Sequence, residues 1–104
     1  MNDYPTDEEL EKLREWDHRD AKGALDFLRA HWNVNYGSVS TELSAAENKV
    51  LHASEGERFL RLATGGWSGN EDLMAAMRQN VVIWSRVWQL HGVGGLWILR
   101  YPQE

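Results

Sequence analysis

The sequence predicts an α+β fold, with two N-terminal helices followed by a β-β-α-β-β unit on a small antiparallel sheet. Three observations carry this reading. Apolar residues recur at helical spacing between positions 7 and 32, and residues 58–63 alternate in part between apolar and charged. Positions 81–90 and 96–101 are dense in β-branched and aromatic residues and flank the glycine turn Gly92-Val93-Gly94-Gly95.

Thr6 followed by Glu9 is a capping box, and Asp7 and Glu8 complement the positive end of a helix dipole. Leu10, Leu13 and Trp16 then form one apolar stripe, so an amphipathic helix is expected over 7–19. Asp20 is placed to cap a second helix in which Ala21, Ala24, Leu25, Leu28 and Trp32 share a face. Asn33, Asn35, Gly37 and Ser38 end it, because these residues favour turns.

Between Thr41 and Ala53 two readings compete. Leu43, Ala46 and Val50 suit a helix, whereas Lys49 to Ala53 suits a short strand. The turn chemistry of Ser54-Glu55-Gly56-Glu57 and the alternation of Arg58 to Ala63 favour a strand over 48–53 and a β-hairpin. A helix over 70–79 buries Leu73, Met74 and Met77. Val81 to Leu90 reads as a strand apolar on both faces, suited to the centre of a sheet or to a contact between copies in a homo-oligomer. Leu96 to Tyr101 returns as the last strand and stops at Pro102. The chain is therefore expected to be one domain, helical over 1–40 and a sheet plus one helix over 48–101.

At 104 residues there is room for one core. Without cysteine the chain has no disulfide framework and no thiol nucleophile, which suits a reducing cytoplasm. Met1 to Glu9 lacks the basic start and apolar stretch of a secretory signal, and no run approaches the roughly 20 apolar residues of a membrane helix. A cytoplasmic protein with no membrane partner is expected. The net charge of −5 is unevenly distributed: residues 1–57 carry 13 acids and 6 bases, residues 58–104 carry 3 acids and 5 bases. All five of those bases are arginine, the side chain suited to forked contacts with carboxylate or phosphate.

The turn Thr64-Gly65-Gly66-Trp67-Ser68-Gly69-Asn70-Glu71 resembles a phosphate cradle, since three glycines precede a helix. Glu71 and Asp72 in the first helical turn would repel an anion, and no lysine is near. Thr64, Gly65, Gly66, Ser68, Gly69 and Glu71 are therefore read as a structural turn, with Ser68 and Glu71 as a second capping box. Trp67 is either a core plug or an exposed stacking platform.

Among six tryptophans, Trp84 and Trp88 lie on one face of the expected strand. With Trp67, Arg61, Arg86 and Arg100 they make the candidate binding set, since tryptophan beside arginine is the composition of interface hot spots and of single-stranded nucleic-acid platforms. His18, His31, His52 and His91 lack metal spacing, and no nucleophile elbow surrounds Ser68. No catalytic residue, metal or cofactor is predicted. The carboxylates from Asp3 to Asp20 could mimic nucleic-acid phosphate, but Lys12, Arg14 and Arg19 interleave with them, and a solvated helix face is the preferred reading.

The octapeptide over 64–71 resembles a group of small uncharacterised bacteriophage and prophage proteins. In them a strand, the run TGGWSGNE, a helix, a tryptophan-containing strand and a Gly-Gly turn succeed one another. Here the matching positions are Phe59 to Ala63, Thr64 to Glu71, Leu73 to Gln79, Val81 to Trp88 and Gly94-Gly95, so the likeness covers residues 58–101. Leu96-Trp97-Ile98 departs from the polar aromatic residues of the group, and the N-terminal helices lie outside the match. The resemblance implies a phage origin, the host cytoplasm and the C-terminal fold, and carries no activity. The expected function is non-enzymatic: binding of a host or phage macromolecule, a protein first, as in inhibitors of host defence. The alternative is a binder of a nucleotide or another anionic small molecule at the arginine and tryptophan surface. Direct nucleic-acid binding is disfavoured by the acidic balance.

Overall fold

Helix α1 (Asp7–Arg14) begins where its capping box predicts: the Glu9 N–H donates to Thr6 Oγ1 at 3.1 Å, and the Thr6 N–H donates to Glu9 Oε1 at 2.8 Å. The computed structural model describes residues 4–102, so Asp3, first of the acidic stretch, lies outside the described residues. The helix ends five residues before the expected position 19. Asp17 accepts both the Arg19 backbone N–H and its guanidinium, and the Trp16 indole donates to Asp20 at 3.1 Å, which turns the chain instead. Helix α2 (Ala21–His31) follows, with Asp20 Oδ1 accepting the Gly23 N–H at 3.0 Å and Ala21, Ala24, Leu25 and Leu28 buried, as the spacing predicts.

The hairpin expected between 48–53 and 58–63 does not form. Strand β1 (Ser38–Ser40) pairs antiparallel with β2 (Phe59–Ala63), and residues 45–51 are helix α3 (Ala45–Leu51). The reason is local. Ser44 and Glu47 form a capping box, with the Glu47 N–H donating to Ser44 Oγ at 3.1 Å and the Ser44 N–H to Glu47 Oε1 at 2.9 Å. No residue of α3 is buried, so its cap, its own hydrogen bonds and the pairing of Glu47 with Arg61 hold it, whereas a strand there would need a partner for its backbone.

Helix α4 (Ser68–Gln79) buries Leu73, Met74 and Met77 as predicted and starts two residues before the expected position 70. The second correction follows directly: Val81 to Leu90 is not one strand but helix α5 (Val81–Val87) running into strand β3 (Trp88–Gly92). Asn80 decides this. Its Oδ1 accepts the Ile83 N–H at 3.4 Å, while its Nδ2 donates to the carbonyls of Leu13 and Trp16 at 3.2 and 3.1 Å. The side chain thus caps α5 and ties off the end of α1, and Ile83 and Val87, one helical turn apart, become the buried pair.

A single 3-10 turn, Val93–Gly95, joins β3 to β4 (Leu96–Arg100). The sheet is antiparallel in the order β1-β2-β4-β3, with a bulge in β3 between Trp88 and Leu90. The element order is therefore α-α-β-α-β-α-α-β-β, still α+β, and the sheet half of the chain contains three helices and not one. Leu60, Leu62, Trp97 and Leu99 join the helices in one core, which also takes in Leu13, Leu25, Leu28, Leu73, Met77 and Val87. Alternation turns Phe59, Arg61, Ile98 and Arg100 to the other face, where Glu47 of α3 meets Arg61. Among the described residues no helix is long and apolar enough to cross a membrane.

Candidate functional site

The turn over 64–71 is built from its own hydrogen bonds. Thr64 is buried, its N–H donates to the Gly95 carbonyl at 3.1 Å, and its Oγ1 accepts the Gly66 N–H at 3.2 Å and donates to Glu71 Oε2 at 3.4 Å. The Trp67 N–H donates to the Thr64 carbonyl at 3.2 Å, so two of the turn's donors are already engaged. The expected Ser68 capping box is absent. Trp67 is the N-cap, with no side-chain cap bond, and Ser68 is the first helical residue, its Oγ donating to the Tyr4 hydroxyl at 3.1 Å. Helix entry one residue earlier carries the Ser68 hydroxyl past the position from which it could cap.

Trp67 is half-buried, and its ring meets Tyr4 and Tyr36, each at 4.8 Å between centroids. It also folds back over Gly69, where any Cβ would lie inside the indole ring. Its aromatic neighbours hold it beside the core, neither as a plug nor as a bare platform. The residue that locks the turn to the rest of the chain is Asn70, fully buried and hydrogen-bonded to the backbone of Asn33 and Thr64. Sequence reading missed it because nothing local marks an asparagine in a first helical turn as buried.

The six candidate binding residues fall into separate places. Trp67 and Trp84 lie beyond opposite ends of α4, about 18 Å of helix apart. Arg61 Nε donates to both carboxylate oxygens of Glu47 at 3.1 Å, and Arg100 donates to Glu57 at 2.8 Å. The Ser44 backbone N–H and Arg61 hold the Glu47 carboxyl below its ordinary range, and the Ser54 backbone N–H and Arg100 do the same for Glu57. Arg86 donates to the His18 carbonyl at 3.0 Å. Arg86 and Arg100 nevertheless line one open cleft of about 830 Å³, together with His52, Ser54 and Glu57. His52 reaches it by ending α3 in the left-handed region, at φ 50°.

Trp84 and Trp88 are brought together, by helical and not strand geometry, and stack at 6.5 Å with 22° between planes. Trp84 also meets the edge of Trp97 at 5.5 Å, and the Arg78 guanidinium lies 5.1 Å from the Trp97 ring centroid. His91 stacks flat on Trp97 at 3.8 Å and 3°. Val81, Val82 and Trp88 are exposed, at 69%, 42% and 48%. Where α4 turns into α5, Ala75, Arg78, Val81 and Trp84 line a groove of about 550 Å³. Arg78, Val81 and Trp97 were not in the predicted set. The signal for the first two was present: Arg78, Val81, Trp84 and Trp88 follow one another at spacings of three, three and four, a helical stripe hidden by the strand-like composition.

Comparison with protein families, with curated proteins and with solved structures returns no match.

Proposed function

We propose that this chain is a non-enzymatic accessory protein of phage origin that works by binding another protein through the Trp84 and Trp88 face. The single observation behind this reading is that the two-turn helix α5 leaves Val81 and Val82 in solvent beside a stacked tryptophan pair. Burying apolar surface of this kind contributes roughly 25 cal/mol per Å², and tryptophan and arginine dominate the residues that carry binding energy in interfaces. Arg78 makes no ion pair or hydrogen bond among the described residues, so the partner would offer an apolar anchor for the groove with a carboxylate at its rim. The phage origin rests on the TGGWSGNE resemblance, and a component of a host defence is the first partner class to test.

The test is a pull-down from host and infected-cell lysates with the wild-type chain, Val81→Asp, Trp88→Ala and the control Arg61→Gln. Capture of a protein by the wild type and the control, lost in both face variants, supports the reading. Capture that survives both face variants, or no protein retained after washing, overturns it.

The cleft shared by Arg86 and Arg100 favours a second reading, a nucleotide or other anionic small molecule held between two guanidinium groups. Thermal shift across a nucleotide panel decides it. A ligand at 100 times its dissociation constant adds about 2.7 kcal/mol to stability, and a panel without any shift removes this reading.

A further inference from the structure

We propose that the cleft between α4 and the β3–β4 end of the sheet is a binding site for a free α-amino acid. The cleft has a volume of about 210 Å³, and Glu71, Met74 and Arg78 of α4 face His91 of β3 and Trp97 of β4 across it. This lies below the roughly 300–1,000 Å³ of pockets for drug-sized ligands and is about a quarter of the Arg86 and Arg100 cleft, a scale that suits an amino acid and not a nucleotide.

Charge decides the ligand class. Arg78 keeps all its N–H donors free of ion pairs and hydrogen bonds within the described residues, and it is held over the Trp97 ring. Among the described residues the indole N–H of Trp97 has no acceptor and no fully buried side-chain nitrogen or oxygen lacks a partner, so this N–H retains solvent contact. Glu71 lies seven residues before Arg78 on the same stripe of α4, and among the described residues its carboxylate accepts one hydrogen bond, the long 3.4 Å contact from Thr64. One end of the cleft therefore receives an anion and the other a cation, with Met74 and the Trp97 indole between them. A purely anionic ligand meets Glu71, and a purely cationic one meets Arg78. A zwitterion with an apolar side chain satisfies both.

The volume selects an amino acid over a peptide: a cleft of about 210 Å³ suits one residue with its two charged ends, and each added residue lengthens the ligand by about 3.5 Å.

The cleft shares Arg78 with the groove of the protein-binding reading, whereas Glu71, His91 and Trp97 line the cleft alone, so Glu71→Gln separates failure of one reading from failure of the other. The experiment is titration of the ¹⁵N-labelled full chain with each of the twenty free L-amino acids, following the Trp97 indole N–H resonance. The expected result is saturable movement of that resonance by at least one apolar amino acid. The N-acetyl and amide derivatives of that amino acid, and the variants Arg78→Gln and Glu71→Gln, should each weaken binding by about tenfold or more, while the exposed-site control Lys49→Gln leaves it unchanged. Absence of movement with all twenty amino acids into the millimolar range overturns the proposal. So does equal binding of the N-acetyl and amide derivatives, or equal binding by Arg78→Gln and Glu71→Gln at unchanged melting temperature.

Discussion

Asn70 closes a reciprocal pair of hydrogen bonds with the backbone of Asn33: its Oδ1 accepts the Asn33 N–H at 2.9 Å and its Nδ2 donates to the Asn33 carbonyl at 3.0 Å. The same Nδ2 reaches the Thr64 carbonyl at 3.3 Å. A fully buried side chain thus joins the exit of α2, the end of β2 and the start of α4. Asn70→Ala leaves buried backbone groups without partners and should cost about 2–3 kcal/mol. Asn70→Asp, which turns acceptors toward two carbonyls, should cost at least as much. Urea denaturation of both variants measures this, and a midpoint unchanged from wild type would refute the role.

Ser44 and Ser68 look alike in sequence and differ in the fold. Ser44 caps α3, whereas among the described residues the Ser68 hydroxyl meets only the Tyr4 hydroxyl, at the surface. Ser44→Ala should cost about 1 kcal/mol, and Ser68→Ala less than about 0.5 kcal/mol. Paired thermal melts of the two variants decide it, and the reverse order would show that Ser68 caps α4 after all.

Gly95 carries a positive φ of 74°, and a Cβ there would run into Thr64 Oγ1. Gly95→Ala should therefore destabilise the chain by more than the roughly 1 kcal/mol of left-handed strain alone. Gly94 shares the same φ of 74° with open space around it, so Gly94→Ala should cost only the strain. Denaturation midpoints compare the two, and equal losses would remove the Thr64 contact from the account.

Tyr101 donates to Asp26 at 2.9 Å, and burial together with this bond pushes its hydroxyl up to about 12 from 10.0. A raised folded-state value means that the folded chain holds this proton more tightly than the unfolded one. The stabilisation is complete below pH 10 and is lost as pH rises toward about 12. Tyr101→Phe should flatten that alkaline decline. At the acid end, the carboxyls of Glu47 and Asp26 lie below their ordinary range. For Asp26 burial raises the value, but the bonds from Lys22 and Tyr101 outweigh it. Their contribution is present above the unfolded values of 4.5 and 3.8 and is lost as pH falls through the folded ones. Melting temperature against pH tests both ends, and a flat profile above pH 10 would contradict the Tyr101 assignment.

Several elements were legible because their information is local. The capping box of Thr6 and Glu9, the Asp20 cap and the buried stripe of Leu73, Met74 and Met77 each lie within a few residues of the helix they define. The Ser44 and Glu47 box was equally local, and the competing strand-like composition of Lys49 to Ala53 masked it. Of the site, Trp84 and Trp88 were read on one face of a strand and meet instead through a helix, and the spacing that adds Arg78 was there to read; Trp97 was not, because its contact with Arg78 joins α4 to β4.

By itself the sequence determined the α+β class, the N-terminal helices with their caps and the glycine turn into β4, all features whose hydrogen bonds close over a few residues. The tertiary structure decided the fate of residues 81–90. Their β-branched and aromatic side chains favour a strand, but the Asn80 side chain caps α5 while bonding to the Leu13 carbonyl 67 residues away. It likewise decided which arginines are engaged, through Glu47 on Arg61 and Glu57 on Arg100, and which lie over aromatic rings without an ion pair among the described residues, Arg58 at Tyr101 and Arg78 at Trp97. Such outcomes depend on groups that only the folded chain brings together, and a local pattern does not contain them.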